Sequence, residues 1–275
     1  MTDLANPTDA LSGRQSEFSS STVGMRSLTP ARIALQRAGD SVATGVLLDF
    51  QLAHARARDA VHAELQPTSL IAGLQGLLAL HPHLSQQVLL LHSAAKDRQI
   101  YLQRPDLGRR LDDISRQRLE ERGTTDLDLA IVLADGLSAL AVDRYAVPLL
   151  TELLPLLREG LRPVLLAPIC VVEQARVAVG DEIGHTLGAS LSLVLIGERP
   201  GLSAHDSLGA YITWNPRPGI TSDAQRNCIS NIRPEGLSFS ESAARLIYYI
   251  HEARRCQLTG VALKDPQLHL AESTL

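Results

Sequence analysis

Cysteine is scarce in this chain. Cys170, Cys228 and Cys256 are its only three in 275 residues, an odd number at wide spacing that speaks against a disulfide framework or a zinc site and for a reducing compartment, the cytoplasm. Aromatic residues make up 3% and the formal net charge is −4. No basic stretch alternates with aromatics, so the chain has no electrostatic footprint for nucleic acid. No apolar run approaches the roughly 20 residues of a membrane-spanning helix, and the N-terminus shows no basic-then-apolar signal. Neither a membrane nor export is expected.

Several motifs are missing as well. Without G-x-G-x-x-G or G-x-x-x-x-G-K-[ST], a sheet-forming pattern here does not imply a dinucleotide or a nucleoside triphosphate. Without G-x-S-x-G, the neighbours His92-Ser93 and Lys96-Asp97 read as a helix end or loop with solvated charges, not as a nucleophile with its base. The nine histidines form neither H-E-x-x-H nor a Cys–His zinc spacing. Asp126, Asp128 and Asp135 do not suggest a metal site, because alternate residues at a strand start point to opposite sides; capping and solvation are expected of them. No catalytic residue and no metal ligand is assigned to this chain.

What is present divides the chain in three. Residues 1–28 are rich in Ser, Thr, Asp and Asn with no apolar period, which predicts a disordered leader. Residues 29–98 read as a small all-helical N-terminal domain. Thr29-Pro30 is a helix start with Pro at the first position, and Gly39 ends that helix. A second helix from Asp40 or Ser41 places Val46, Phe50, Ala53, Ala57 and Val61 on one stripe, and a third carries Leu70, Leu74, Leu77 and Leu78 up to His81-Pro82.

From residue 99 to 275 strands alternate with helices. Leu127–Leu133 and Leu191–Ile196 are aliphatic on both faces, as buried parallel strands are; Pro163–Cys170 and Tyr211–Trp214 are further strands. Helices are expected from Ser138 to Leu157, around Asp181–Leu187, and from Ser238 to Cys256 with Ala243, Leu246, Ile247 and Ile250 inward. Such alternation predicts an α/β fold with right-handed βαβ crossovers, a Rossmann-like, mostly parallel sheet domain.

The densest polar stretch is residues 197–236, GERPGLSAHDSLGAYITWNPRPGITSDAQRNCISNIRPEG. It follows the Leu191 strand, so its first residues fall at the carboxyl edge of the sheet, where open α/β sheets take ligands. Its second half is read as a loop carrying two amides, a hydroxyl and a thiol. Taken alone, Glu198 could form an ion pair with a nearby arginine and Cys228 could be a small buried hydrophobe.

GERPGLSAHDSLGAY, followed by RNCISNIRPEG and preceded by ARVAVGDEIGHTLGAS, is similar to the small subunit of ethanolamine ammonia-lyase. QVLLLHSAAKDRQIYLQRPDLGRRL fits the same family, and the resemblance runs from about residue 30 to the end. It implies an adenosylcobalamin-dependent lyase that converts ethanolamine to acetaldehyde and ammonia by a radical mechanism. Its large subunit holds most of the substrate site, and cobalamin lies between the two chains of a hetero-oligomer. The family's small-subunit cofactor contacts fall on Val177, Glu198 and Cys228. The histidine motif D-x-H-x-x-G of another cobalamin class is absent, Asp181 to His185 failing in spacing, so this chain is expected not to ligate cobalt. Asn227, Ser230 and Asn231 match the amides of the corrin rim, which donate and accept. The other readings are a regulatory or assembly subunit that binds a protein without cofactor, and a free-standing α/β enzyme for a nucleotide-like ligand. Some members of the family are housed in a bacterial microcompartment, the alternative to free cytoplasm; the leader matches no family pattern.

Overall fold

The structure, a computed structural model, describes residues 32–264 apart from positions 34, 36, 124 and 159–162. The whole leader, residues 1–28, and Thr29-Pro30 lie outside the described residues. The described residues fall into two compact units, one that runs up to residue 57 and takes in 201–203, and one that begins at residue 58 and holds the rest.

The first unit holds a short hairpin, β1 (Arg37–Ala38) and β2 (Ser41–Val42), paired antiparallel. Gly39 does not end a helix. It opens the hairpin's two-residue turn at φ +61°, a conformation open to glycine without steric cost. Helix α1 (Thr44–His62) follows and continues into the second unit. It starts some three residues later than the sequence suggests. In its expected stripe Val46, Ala53, Ala57 and Val61 are half-buried and Phe50 is exposed.

The second unit is built on a six-stranded sheet in the order β3 (Val88–His92), β5 (Ile169–Glu173), β4 (Leu127–Ala134), β6 (Ala189–Gly197), β7 (Leu208–Trp214), β8 (Arg226–Ile232). The first four strands are parallel; β7 and β8 are antiparallel additions. The fold is therefore α/β, with a mixed, mostly parallel sheet. Leu129, Ile131 and Leu133 of β4 enter one core with α2 (Pro67–Ala79), α5 (Ala139–Leu156) and α7 (Phe239–Cys256). Ala130, Val132 and Ala134 enter the other with α4 (Asp113–Glu120) and α6 (Val179–Leu187). A strand buried on both sides must be aliphatic at every position, as this one is. The short helix α3 (Arg98–Gln103) is capped by Asp97, whose carboxylate accepts from Ile100 N.

An all-helical N-terminal domain is not what the described residues form. The hairpin precedes α1, and α2 buries Leu70, Leu74, Leu77 and Leu78 in the core of the sheet, each contributing about 1.5–3 kcal/mol relative to exposure. Val88–His92, inside the expected helical stretch, pairs in register with Ile169–Glu173. A short apolar run serves a buried helix or a buried strand equally well, and here the partner strand decides.

Two other expectations change. The strand expected at Pro163–Cys170 lies at Ile169–Glu173. Pro163 and Pro168 lack the N–H a ladder requires, and before Ile169 only a bridge from Leu166 to Leu129 forms. Arg226–Ile232, expected as loop, is an edge strand with Arg226, Ile229 and Ile232 buried. A register shift near Leu208/Ala210 and a positive φ of 58° at Asn231 break its alternation, so no period of two is visible in its sequence.

Candidate functional site

Neighbouring strands β4 and β5 send their chains to opposite faces, β4 into α5 and β5 into α6. Loops that diverge in this way open a crevice at the carboxyl edge of a sheet. Three strand ends line it: Gly136-Leu137 after β4, Arg176-Val177-Ala178 after β5, and Gly197-Glu198-Arg199 at the end of β6. Tyr101 and Tyr211 complete the wall of a cavity of about 810 Å³.

Asp135, between β4 and the lining residue Gly136, is fully buried. Its carboxylate accepts from Gln174 N (2.9 Å) and Ala175 N (2.8 Å) and faces Arg98 Nη1 at 3.4 Å. Arg98 in turn donates to Gly136 O (2.8 Å) and Val61 O (2.7 Å). Gln174 sits at φ +56°, a left-handed conformation that costs a non-glycine residue of the order of 1–3 kcal/mol. The two bonds to Asp135 hold it there and aim Arg176 and Val177 at the cavity. The three aspartates set aside as capped or solvated thus separate. Asp135 is structural and dry, and Asp128 is buried too, accepting from Leu165 N (2.8 Å) and pairing with Arg254 at 3.1 Å.

Burial pushes the Asp135 carboxyl up to about 6, against the opposing pull of Arg98 and of the backbone N–H groups of Ala175, Gln174 and Gly136. A folded value above the ordinary carboxylate value means the fold prefers the protonated form. The stability this group contributes is full below about pH 4 and is lost as pH rises through about 6, a change of about 3 kcal/mol. Asp135→Asn should therefore differ from the parent in the slope of melting temperature against pH between 4 and 6.5. Parallel profiles would show that Asp135 stays ionised throughout.

Val177 and Glu198 line the same cavity. Glu198 forms no ion pair among the described residues; its Oε2 accepts from Asn231 N at 3.1 Å. Cys228 does not line the cavity. It lies on β8 directly opposite Tyr211 of β7, which does. The residue is exposed and not a buried hydrophobe, yet its sulfur is crowded by protein. Burial and the charge of Glu198 raise the thiol above its ordinary value, while a hydrogen bond with the Tyr211 hydroxyl opposes the rise. A neutral thiol makes a small contact group, not a nucleophile. Burial, together with Cys228, likewise holds Tyr211 in its neutral form.

The polar residues of β8 serve less uniformly than expected. Asn227 is committed to the fold: its amide bonds Leu263 O (2.9 Å) and Gly260 N (2.7 Å). Asn231 accepts from Arg233 Nε at 2.9 Å, and only Ser230 is simply exposed. Ser93 Oγ donates to Gln174 O at 2.7 Å and accepts from Ala95 N at 3.1 Å. Asp181 and Glu182 are engaged with Arg226 and Arg116. Among the described residues no cluster of three His, Cys, Asp or Glu is placed to hold a metal, and no helix is long and apolar enough to cross a membrane. Tyr101, Arg109 and Arg176 escaped the sequence reading, although Arg176 adjoins Val177.

A mixed sheet with helices on both faces and a cavity where its strand-end loops diverge defines the class, that of α/β proteins with a ligand crevice at the carboxyl edge. The family model for "Ethanolamine ammonia-lyase light chain (EutC)" matches residues 19–264. The chain belongs to this family. The match begins inside the leader, earlier than residue 30. The ethanolamine ammonia-lyase small subunit of Azotobacter vinelandii is 57% identical over 247 residues, 88% of this chain and 87% of that one. Those of Pseudomonas aeruginosa (strain UCBPP-PA14) and Pseudomonas fluorescens (strain SBW25) are each 56% identical over 245 residues. They cover 88% of this chain, and 86% and 84% of their own.

Proposed function

We propose that this chain is the cofactor-covering subunit of an adenosylcobalamin-dependent ethanolamine ammonia-lyase, active only when joined to a large subunit. The observation that carries the reading is that one open cavity brings Val177 and Glu198 together at the carboxyl edge of the sheet. Its wall suits a corrinoid. Leu137, Val177, Ile196 and Tyr211 offer apolar surface to a flat macrocycle, while Glu198 accepts from its amide rim and Arg199 donates to it. Bound adenosylcobalamin supplies the radical chemistry of the lyase reaction. The share of this chain is to orient the group and exclude water from it. Val177 packs on the ring, Glu198 accepts an amide proton, and Cys228 on the outer strand limits the space beside Tyr211. The ethanolamine site belongs mainly to the large subunit in this reading, and a reducing cytoplasm is its setting.

The test mixes the purified chain with its large subunit and follows acetaldehyde release and adenosylcobalamin affinity. Release is expected only from the mixture. In the complex, Glu198→Gln should weaken cofactor binding by about 1 kcal/mol if the contact is a neutral hydrogen bond, and Cys228→Leu should weaken it through crowding, with melting temperature little changed in both. Wild-type affinity beside reduced stability would remove both residues from the cofactor. Turnover by this chain alone would overturn the reading.

A further inference from the structure

Arg98 and Arg176 both stack on the ring of Tyr101, with guanidinium carbons 4.9 Å and 4.5 Å from its centroid. The ring is fully buried and fixed, its hydroxyl donating to Ala175 O at 3.1 Å. The two cations differ in what neutralises them. Arg98 has Asp135. Arg176 has no carboxylate within salt-bridge distance among the described residues, and its Nε is buried with no hydrogen-bond partner. A partly buried guanidinium that no carboxylate neutralises costs free energy, and Arg176 stands half-buried on the cavity wall, where an anionic ligand can meet it.

The charge around it has one sign. Arg109 and Arg199 line the same cavity and likewise lack an ion pair among the described residues. Arg176 N donates to Gly108 O at 2.7 Å, which brings the Arg109 loop beside it. Two of the acidic residues at the cavity are already occupied, Asp106 by Arg104 at 2.7 Å and Asp223 by Arg226 at 3.4 Å. That leaves Glu198, engaged by a backbone N–H, against three free guanidiniums. An excess of two positive charges, one of them held rigid on an aromatic face, matches a phosphate group better than a single carboxylate.

We propose that Arg176, stacked on Tyr101 and supported by Arg109, is the receptor for a phosphate group in this cavity. Two sources share that chemistry: the phosphodiester of the nucleotide loop of a bound cobalamin, and free inorganic phosphate or pyrophosphate. The first source rests on the function proposed above; the second does not.

The experiment uses the complex with the large subunit. Affinities are measured for adenosylcobinamide, which lacks the phosphate, and for adenosylcobinamide phosphate, which carries it. Wild type should prefer the phosphate-bearing corrinoid by about 10- to 100-fold, the span expected for hydrogen bonds to a charged group. Arg176→Met keeps apolar contact with Tyr101 and should abolish the preference, while Arg176→Lys should retain part of it. Melting temperature monitors folding, and pyrophosphate is titrated against both variants as a second arm. An undiminished preference in Arg176→Met overturns the proposal and leaves the cofactor reading standing. If wild type binds neither of these corrinoids nor adenosylcobalamin itself, the cofactor reading fails and the second arm decides. A pyrophosphate-dependent rise in melting temperature that Arg176→Met lacks then supports a receptor for free phosphate, and no such rise overturns the proposal as well.

Discussion

Asp181→Ala is expected to destabilise the chain by about 3–5 kcal/mol, far more than the loss of an exposed pair. Asp181 and Arg226 form a bidentate pair, Nη1 to Oδ1 at 2.7 Å and Nη2 to Oδ2 at 2.6 Å, with side-chain exposures of 3% and 2%. Without Asp181 the guanidinium keeps only Thr213 Oγ1 at 2.9 Å and the rim carboxylate of Asp223, itself 82% exposed. An uncompensated charge remains in the interior, which is why removing one partner costs more than replacing both. The double variant Asp181→Leu, Arg226→Met should recover most of the loss. Urea unfolding of the two single variants and the double closes the cycle. A single variant as stable as the double would mean that water or Asp223 solvates Arg226 adequately. The pair also has a consequence for the site. Asp181 stands in the first turn of α6, four residues after Val177, and Arg226 opens β8, which carries Cys228. Asp181→Ala should therefore loosen the spacing between the two outer groups of the proposed cofactor contact as well as the fold.

How far the sequence reveals this architecture depends on where the determining interactions lie. Leu127–Leu133 and Leu191–Ile196 are legible because burial on both faces demands aliphatic residues at consecutive positions, a local signal. The final helix is legible at both levels, through its apolar stripe and through Ser238, whose hydroxyl caps Glu241 N at 3.3 Å. Strand β8 is not. Apart from Ile229, Ile232 and Cys228 its residues are polar, and what makes it a strand is the open edge of β7 and an ion pair reaching 45 residues back to Asp181. Asp135 shows the same limit from the other side. Its place at a strand end is visible in the chain, but its burial follows from loops contributed by residues 98 and 174–175. Of the candidate site, Val177 and Glu198 come from resemblance to a family, and that they line one cavity is visible only in the fold. Arg176 carries no sequence signal at all. What distinguishes it is a missing partner, and a missing partner is defined only once every neighbour has a place.

Gly197→Ala is the second variant with a large expected effect. A Cβ at this position would run into the Ser138 carbonyl and stand 2.6 Å from Asp135 O, both backbone atoms of the β4 loop. That loop cannot retreat, since Leu137 N donates to Gly197 O at 3.0 Å and Gly136, at φ +59°, turns its Cα toward the same carbonyl. Overpacking against side chains costs about 1–3 kcal/mol because rotamers can adjust. Against backbone on two sides the cost should reach about 3 kcal/mol or more, enough to lower the melting temperature by several degrees in a chain of this length. Gly76→Ala gives the contrast. It lies on the exposed side of α2 with nothing within 4 Å of the added carbon, so it should stabilise the chain by about 0.5–1 kcal/mol through the conformational freedom it removes from the unfolded state. Gly209→Ala separates site from fold. The three atoms nearest its Cβ all belong to the Glu198 side chain, the closest at 3.1 Å, so Glu198 can swing aside while the sheet holds. Melting temperature should fall sharply for Gly197→Ala alone, and cofactor affinity in the complex should fall for Gly209→Ala at near-parental stability. If Gly197→Ala melted with the parent, the contact between the β4 and β6 loops that forms the back of the cavity would have to be looser than the Leu137–Gly197 bond implies.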